Sequence, residues 1–105
     1  MSQNDTFNLS QEDYEITVHI LKKILPNQEI WAFGSRVTGT SKPFSDLDLV
    51  VMSNALISDE TFIDAKNTLA ESNLSIKIDL HQWKLLPKLF QEIIEKNHHV
   101  FIKRE

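Results

Sequence analysis

The sequence predicts a small α/β (α+β) domain, with helices covering one face of a small sheet. Apolar residues recur at helical spacing in three segments, and each segment opens with a residue that favours a helix start. Three short apolar runs lie between these segments and have the length of strands. Helices and strands therefore alternate along the chain, which is the order expected of a layered α/β or α+β domain.

The first helix is predicted to begin after Ser10, whose side chain can cap it, and it has acidic residues in its first turn. Leu9 and Tyr14 are spaced to pack across this cap as a hydrophobic staple. The helix ends before Pro26, which cannot continue it. Its predicted apolar stripe consists of Tyr14, Val18, Leu21 and Leu25.

Two strands and a connection are predicted to follow this helix. Residues 29–33 are short, apolar and aromatic and stop at Gly34, which predicts the first strand. Residues 35–45 contain Gly39, Ser41 and Pro43 and predict a turn-rich connection that can open with a helical turn. Residues 46–52 predict the second strand.

The second half of the chain predicts a helix, a strand and a further helix. Ser58 caps the first of these helices, whose shared face consists of Phe62, Ala65, Leu69 and Ala70. Residues 75–81 alternate as a strand does, with Lys77, Asp79 and His81 on the polar face. Pro87 is expected at the first position of the last helix, which carries Leu86, Leu89, Phe90, Ile93 and Ile94. Residues 99–103 form either a short closing strand or an extended tail.

Composition favours one globular domain that spans residues 1–105. The 105 residues are 41% hydrophobic, which suffices for one core. No cysteine is present, which excludes disulfides and thiolate chemistry and fits a reducing cytoplasm, where we expect the protein. The net charge of −4 predicts no direct nucleic-acid binding. No uninterrupted apolar run is longer than that of residues 49–52, which is far below the ~20 residues of a membrane helix, so we expect no membrane span.

Three aspartates form the candidate catalytic centre. Asp46 and Asp48 project from the same face of a predicted strand, with Cα atoms about 6.6 Å apart. Asp79 lies on the polar face of another predicted strand and either joins them, if the strands are neighbours, or is simply solvated. Two carboxylates about 4 Å apart repel by about 4 kcal/mol at an effective dielectric constant of 20. Protonation or a cation must offset this repulsion, and one or two Mg²⁺ ions suit such oxygen ligands.

The Gly-Ser pair at the end of the first predicted strand is a candidate phosphate site. Gly34 permits close approach of the backbone to a ligand, and Ser35 adds a hydroxyl donor. If residues 35–37 begin a helical turn, their free N–H groups favour an anion. Arg36 either adds charge-assisted bonds or caps the turn. Phosphates bound here, beside metal ions at the carboxylates, indicate a nucleoside triphosphate.

The spacing between the Gly-Ser pair and the aspartates matches a known signature. Gly34-Ser35, ten intervening residues and Asp46-Leu47-Asp48 reproduce the G-S-x10-D-x-D pattern, and Asp79 follows on a later predicted strand. In this the chain resembles the polymerase-β-like nucleotidyltransferases over nearly its whole length. It looks closest to the minimal MNT subgroup, of which residues 31–36 (WAFGSR) and 45–49 (SDLDL) are typical.

The resemblance implies a polymerase-β-like fold with a small mixed sheet, Mg²⁺ as cofactor and ATP or another nucleotide as donor. The implied reaction is transfer of a nucleoside monophosphate to an acceptor hydroxyl. By position, the catalytic and metal-binding residues would be Asp46, Asp48 and Asp79, with Asp79 near the acceptor oxygen. The nucleotide-binding residues would be Gly34, Ser35 and Arg36.

The resemblance also implies a protein partner. Stand-alone MNT proteins of this size are typically encoded beside a small helical HEPN protein, an RNase-type toxin, and act as its antitoxin, some by adenylylating a toxin tyrosine. Two alternatives stay open: an antitoxin that neutralises the toxin by binding alone, and a nucleotidyltransferase that acts on a small-molecule hydroxyl. The sequence also leaves open whether the chain forms an oligomer.

A few further residues have less specific predictions. His81 shares the face of Asp79 and is interpreted as a surface histidine that could also border the site. Trp31 and Trp83 are expected to anchor the core or an interface. Thr38 stands where many polymerase-β-like relatives have a second basic residue.

Overall fold

The chain folds into a four-stranded sheet flanked by helices. The computed structural model describes residues 9–34 and 46–104. In these ranges the helices are α1 (Gln11–Ile24), α2 (Asp59–Glu71) and α3 (Lys88–Lys96), and a short 3₁₀ helix covers Trp83–Leu85. The strands are β1 (Ile30–Phe33), β2 (Leu47–Val51), β3 (Ile78–Gln82) and β4 (His99–Ile102). No helix of the described part is long and apolar enough to cross a membrane.

The sheet is mixed, with the strand order β3-β2-β1-β4. β1 pairs antiparallel with both β2 and β4, whereas β2 and β3 are parallel. Parallel neighbours need a crossover connection, and α2 provides it between β2 and β3. The predicted α/β (α+β) class with a small mixed sheet is confirmed, and residues 99–102 form a strand rather than a tail.

One face of the sheet carries the main core, because strand side chains alternate between the two faces. α1 and α2 pack against this face, as expected, and Leu21 of α1 and Ala65 of α2 are completely buried there. The strand residues of this core are Ile30, Ala32, Leu47, Leu49, Val51 and Leu80, with Phe101 and Ile102 of β4.

The opposite face holds a smaller apolar cluster under α3. Phe33 of β1 and Val50 of β2 are buried there against Ile94 of α3. Trp31 and Trp83 pack against this cluster as anchors, and their rings meet edge to face at 5.7 Å. The structure therefore differs from the expectation that helices cover a single face of the sheet. α3 lies on the other face, because the alternation of β1 and β2 places apolar side chains there as well.

The buried face of α1 is broader than its predicted stripe. Leu21 and Leu25 are buried and Tyr14 and Val18 pack against the core as predicted, but the polar residue Asp13 is buried as well, as is Thr17. Asp13 accepts hydrogen bonds from the Ser75 backbone N–H at 3.1 Å and from the Ser75 hydroxyl. Thr17 donates to the Asp13 carbonyl at 2.7 Å. Both polar groups are therefore satisfied, and the apolar pattern alone could not identify these two residues as buried.

Several element boundaries also shift. Ser10 and Ser58 cap α1 and α2 as predicted. Their side chains accept hydrogen bonds from the backbone N–H groups three residues later in the sequence. β3 begins at Ile78 rather than at residue 75, because the Ser75 N–H is taken by Asp13 instead of a neighbouring strand. Pro87 is the N-cap of α3 rather than its first residue. Ala70, predicted on the shared face of α2, is exposed.

Candidate active site

The site begins where β1 ends. β1 and β2 are antiparallel, and Phe33, the last residue of β1, lies opposite Asp48. Gly34 therefore follows directly beside Asp48. It has a φ of +86°, a conformation that L side chains rarely adopt, and a Cβ atom built on it would lie 2.5 Å from Oδ2 of Asp48. Only glycine fits this position without displacing the carboxylate or straining the backbone.

The parallel pairing of β2 and β3 supplies the second carboxylate. Asp48 and Asp79 are direct partners in this register, and neighbouring strands lie about 4.8 Å apart. Both residues line the same cavity, on the sheet face opposite the main core. The structure thus brings Asp79 to Asp48, as the sequence predicted for neighbouring strands. Asp46 directly precedes β2 and is partly buried, but it is not among the described residues that line this cavity.

The cavity has a volume of about 320 Å³ and combines a polar floor with apolar walls. Its floor is the sheet, with Asp48, Asp79 and His81. Its apolar wall is α3, which contributes Phe90 and Ile93. The remaining described lining residues are Phe33, Gly34, Ile94 and Asn97. Apolar surroundings strengthen electrostatic interactions with the carboxylates, because they exclude water.

His81 borders the site, which resolves the interpretation left open by the sequence. Its Nε2 atom lies 3.9 Å from Oδ1 of Asp48, and its ring lies 5.6 Å from the ring of Phe33. Its side chain is 38% exposed, so it remains accessible from the cavity. Lys77 lies on the outer side of the site, with Nζ 3.7 Å from Oδ1 of Asp79. That pair contributes little stability, because the Lys77 side chain is 71% exposed.

The donors at this site suit Mg²⁺. Asp48 and Asp79 offer only oxygen atoms, and Mg²⁺ is commonly held by one or two carboxylates together with substrate phosphates rather than by an all-protein cage. Across residues 9–34 and 46–104, no three His, Asp or Glu side chains are grouped closely enough to hold a metal ion by themselves. The ligand set therefore fits an ion that is completed by a bound triphosphate. The metal-binding role of Asp46, Asp48 and Asp79 stays a prediction.

Part of the predicted nucleotide site cannot be placed. Ser35, Arg36 and Thr38 lie outside the described residues, so only Gly34 of the predicted phosphate site is positioned.

The sequence did not predict the wall of the site. Phe90 and Ile93 of α3, together with Asn97 and Phe33, line the cavity beside the carboxylates. No local signal separated these residues from the core. Residues 89, 90, 93 and 94 have the spacing of one apolar helix stripe, of which only Ile94 is buried.

Comparison with protein families gives a match over most of the chain. A family model described as "Polymerase beta, Nucleotidyltransferase" matches residues 17–105. Among curated proteins, the chain is 35% identical over 98 residues to a Haemophilus influenzae protein named "Probable protein adenylyltransferase MntA". This similarity covers 93% of the chain and 86% of the relative.

Solved structures with the same fold include toxin–antitoxin complexes. A crystal structure of a toxin–antitoxin with AMP-PNP matches with a TM-score of 0.72 and 19% identity, over 89% of this chain and 75% of that one. A structure of a tri-AMPylated Shewanella oneidensis HEPN toxin in complex with an MNT antitoxin matches with a TM-score of 0.66 and 17% identity, over 89% and 71% of the two chains. At these identities the structural matches establish a shared fold.

Proposed function

This chain belongs to the polymerase beta nucleotidyltransferase family, and we infer that it transfers AMP from ATP to a hydroxyl group of a partner protein, with Mg²⁺ as cofactor. The observation that carries the proposal is that Gly34, Asp48 and Asp79 meet at one cavity, although they lie on three different strands or strand ends. The similarity to a relative named as a protein adenylyltransferase supports AMP as the transferred group and a protein as the acceptor.

The triphosphate is proposed to bind beside Gly34. A side chain at this position would fill the space next to Asp48, so glycine leaves room there for phosphate oxygens. Ser35 and Arg36 follow directly in sequence and are proposed to bind the β- and γ-phosphates. Asp46, Asp48 and Asp79 would hold Mg²⁺, which when bound supplies positive charge that offsets the charge of the phosphates and polarises the α-phosphate.

Asp79 is proposed to receive the acceptor. β3 is an edge strand of the sheet, so the Asp79 carboxylate can be approached from beyond this edge. Asp79 accepts a hydrogen bond from the acceptor hydroxyl and takes its proton as the acceptor oxygen bonds to the α-phosphorus. The bond between the α-phosphorus and the bridging oxygen breaks, and pyrophosphate leaves with the electron pair of that bond. Positioning and electrostatic stabilisation supply most of the rate enhancement in such phosphoryl transfers.

The proposed acceptor is a tyrosine of a HEPN-type toxin, which makes this chain an antitoxin that acts in the cytoplasm. The proposal is supported by the MntA relative and by the solved neighbours, in which an MNT antitoxin is bound to a HEPN toxin. The rival function is an antitoxin that neutralises its toxin by binding alone, and it predicts that loss of the carboxylates leaves neutralisation intact.

The decisive experiment reconstitutes the chain with a HEPN-type protein as the proposed partner, ATP and Mg²⁺, and measures the partner by intact mass spectrometry. We expect a mass gain of one or more AMP units with the wild-type chain and none with Asp48→Asn or Asp79→Asn. Asp64→Asn is the matched control, because Asp64 is exposed on α2, which packs against the other face of the sheet.

Two results would count against the proposal. Transfer by Asp48→Asn at the wild-type rate would refute the role of the carboxylates. Neutralisation of the toxin by the wild-type chain without any AMP adduct would establish the binding-only function instead. Omission of Mg²⁺, or addition of a chelator, tests the metal dependence in the same assay.

A further inference from the structure

The outward side of α3 exposes large apolar side chains. Leu89 is 72% exposed, Ile93 is 55% exposed and Phe90 is 43% exposed, while Ile94 anchors the helix to the sheet with 1% exposure. Ile94 is the one buried residue of this helix, and Phe90 packs edge to face on the buried ring of Phe33 at 5.9 Å, whereas Leu89 and Ile93 remain mostly exposed. Such a contiguous apolar surface beside a cavity commonly marks a binding site.

This apolar surface runs from inside the active-site cavity to the outside of the molecule. Phe90 and Ile93 line the cavity that contains Asp48 and Asp79. Leu89 is four residues before Ile93 on the helix, so these two side chains lie one above the other on the same side. Leu89 does not line the cavity. One ligand that covers both parts must therefore extend beyond the cavity.

A nucleotide with its phosphates at Gly34 and Asp48, on the floor of the cavity, accounts for the cavity itself, whereas Leu89 lies outside it. A polyanionic surface such as nucleic acid does not fit α3. The charged residues of α3 are of both signs, namely Lys88, Glu92, Glu95 and Lys96. A polypeptide with an apolar surface fits both the extent of this apolar surface beyond the cavity and the mixed charge of α3.

We propose that Leu89, Phe90 and Ile93 form the docking surface for the acceptor protein, and that they place its hydroxyl-bearing side chain against Asp48 and Asp79. This inference rests on the proposed function. The occupant is a helical segment of the partner protein, because side chains four residues apart on one helix form a ridge that packs into the groove of another helix. The acceptor hydroxyl enters the cavity along Phe90 and Ile93, whose apolar surfaces suit an aromatic side chain.

The test compares α3 variants with matched variants elsewhere on the surface. Leu89→Ser is paired with Leu56→Ser, because Leu56 is also a leucine and is 61% exposed. Ile93→Ser is paired with Ile63→Ser on α2, which is 54% exposed. Thermal unfolding checks that all four variants fold. The probe is the HEPN-type protein used in the transfer assay, and its affinity is measured by calorimetry without ATP.

We expect Leu89→Ser and Ile93→Ser each to weaken binding of the HEPN protein by about tenfold or more, and the two control variants to stay within about twofold. For Leu89→Ser, the rate of AMP transfer at low partner concentration falls in parallel with the affinity and recovers at saturating partner, because Leu89 does not line the cavity. The affinity of Leu89→Ser for AMP-PNP with Mg²⁺ stays within about twofold of wild type, because Leu89 lies outside the cavity.

Three outcomes would overturn the inference. The first is equal partner affinity for the α3 variants and their controls. The second is a loss of AMP-PNP affinity in Ile93→Ser without loss of partner affinity, which would assign this wall to the nucleotide. The third is a wild-type dimer in sedimentation that Leu89→Ser dissociates, which would assign the surface to a second copy of this chain.

Different results refute the proposed docking surface and the proposed AMP transfer. If the HEPN protein binds through α3 but never gains AMP, the docking surface stands and the proposed transfer is refuted. If the wild-type chain transfers AMP and the α3 variants transfer it equally well at every partner concentration, the docking surface is refuted and the transfer stands. A HEPN protein that neither binds nor accepts AMP refutes both.

Discussion

Replacement of Gly34 by alanine tests the geometry of the candidate site most directly. Gly34 has a φ of +86°, and a Cβ atom at this residue would lie 2.5 Å from Oδ2 of Asp48 and 3.4 Å from its Cγ. The added methyl group therefore perturbs two things at once. It strains the backbone, and it pushes against the carboxylate that we propose to hold Mg²⁺.

Both effects have an expected size. An L side chain in the left-handed region costs about 1–2 kcal/mol, which lowers the Tm of a domain of this length by roughly 5–10 °C. Ordinary contact distance starts at 3.4 Å, so the Asp48 oxygen must move by at least 3.4 − 2.5 = 0.9 Å. A misplacement of about 1 Å at a reacting centre lowers the rate on the order of a hundredfold. We therefore expect Gly34→Ala to lose most of its activity at temperatures where it is still folded.

The assay is a double-mutant cycle with Asp48→Ala. Removal of the carboxylate relieves the contact with the new methyl group but leaves the backbone strain in place. The destabilisation caused by Gly34→Ala, measured by urea unfolding, should thus be smaller in the Asp48→Ala background by about 1 kcal/mol. AMP transfer is measured for Gly34→Ala alone, because Asp48→Ala is expected to be inactive.

Two results would contradict these expectations for Gly34→Ala. Wild-type transfer rate and Tm in Gly34→Ala would show that neither the strain nor the contact exists. An equal destabilisation in both backgrounds would show that the contact with Asp48 contributes nothing, and the effect on activity would then need another cause.

The remaining predictions concern stability and are all measured by urea unfolding. Asp13→Ala should destabilise the fold by about 1–3 kcal/mol, because the backbone N–H and hydroxyl of Ser75 lose their acceptor; an unchanged midpoint would contradict this. Leu49→Ala should be destabilising by about 2–5 kcal/mol, since Leu49 is completely buried in the central strand. Trp31→Phe should destabilise the fold less, by about 1 kcal/mol. This variant loses a hydrogen bond to Glu29 and part of a ring stack on His98 but keeps an aromatic ring. A larger effect for Trp31→Phe than for Leu49→Ala would overturn this ranking.

Much of the site could be read from local patterns. The alternation of a strand places Asp79 on the polar side of β3, and the apolar residues around Asp48 face the core. Gly34 directly after an apolar run indicated where β1 ends, and the structure ends it there. These features depend on residues close together in the sequence, so they are visible without the fold.

Other features depend on partners far away in the chain. The buried side of α1 includes Asp13, whose partner Ser75 lies 62 residues later, and no local pattern can indicate that pairing. The side of the sheet on which α3 packs follows from Phe33 and Val50, which are distant from the helix in sequence. Hydrophobic periodicity identifies an apolar residue but not which surface covers it, so Leu89 and Ile93 could not be distinguished from core residues.

The sequence by itself determined the periods, the caps and the chemical groups: Ser10 and Ser58 begin helices, and Gly34-Ser35 followed by Asp46-Leu47-Asp48 has the spacing of a nucleotidyltransferase. Only the tertiary structure decided that β2 and β3 are parallel neighbours with Asp48 directly opposite Asp79, and that α3 forms the wall beside them. The physical reason is that backbone conformation and strand alternation follow from neighbouring residues. Strand pairing follows from the burial of both strands in one core, and a shift of one residue would turn every one of these side chains to the other face.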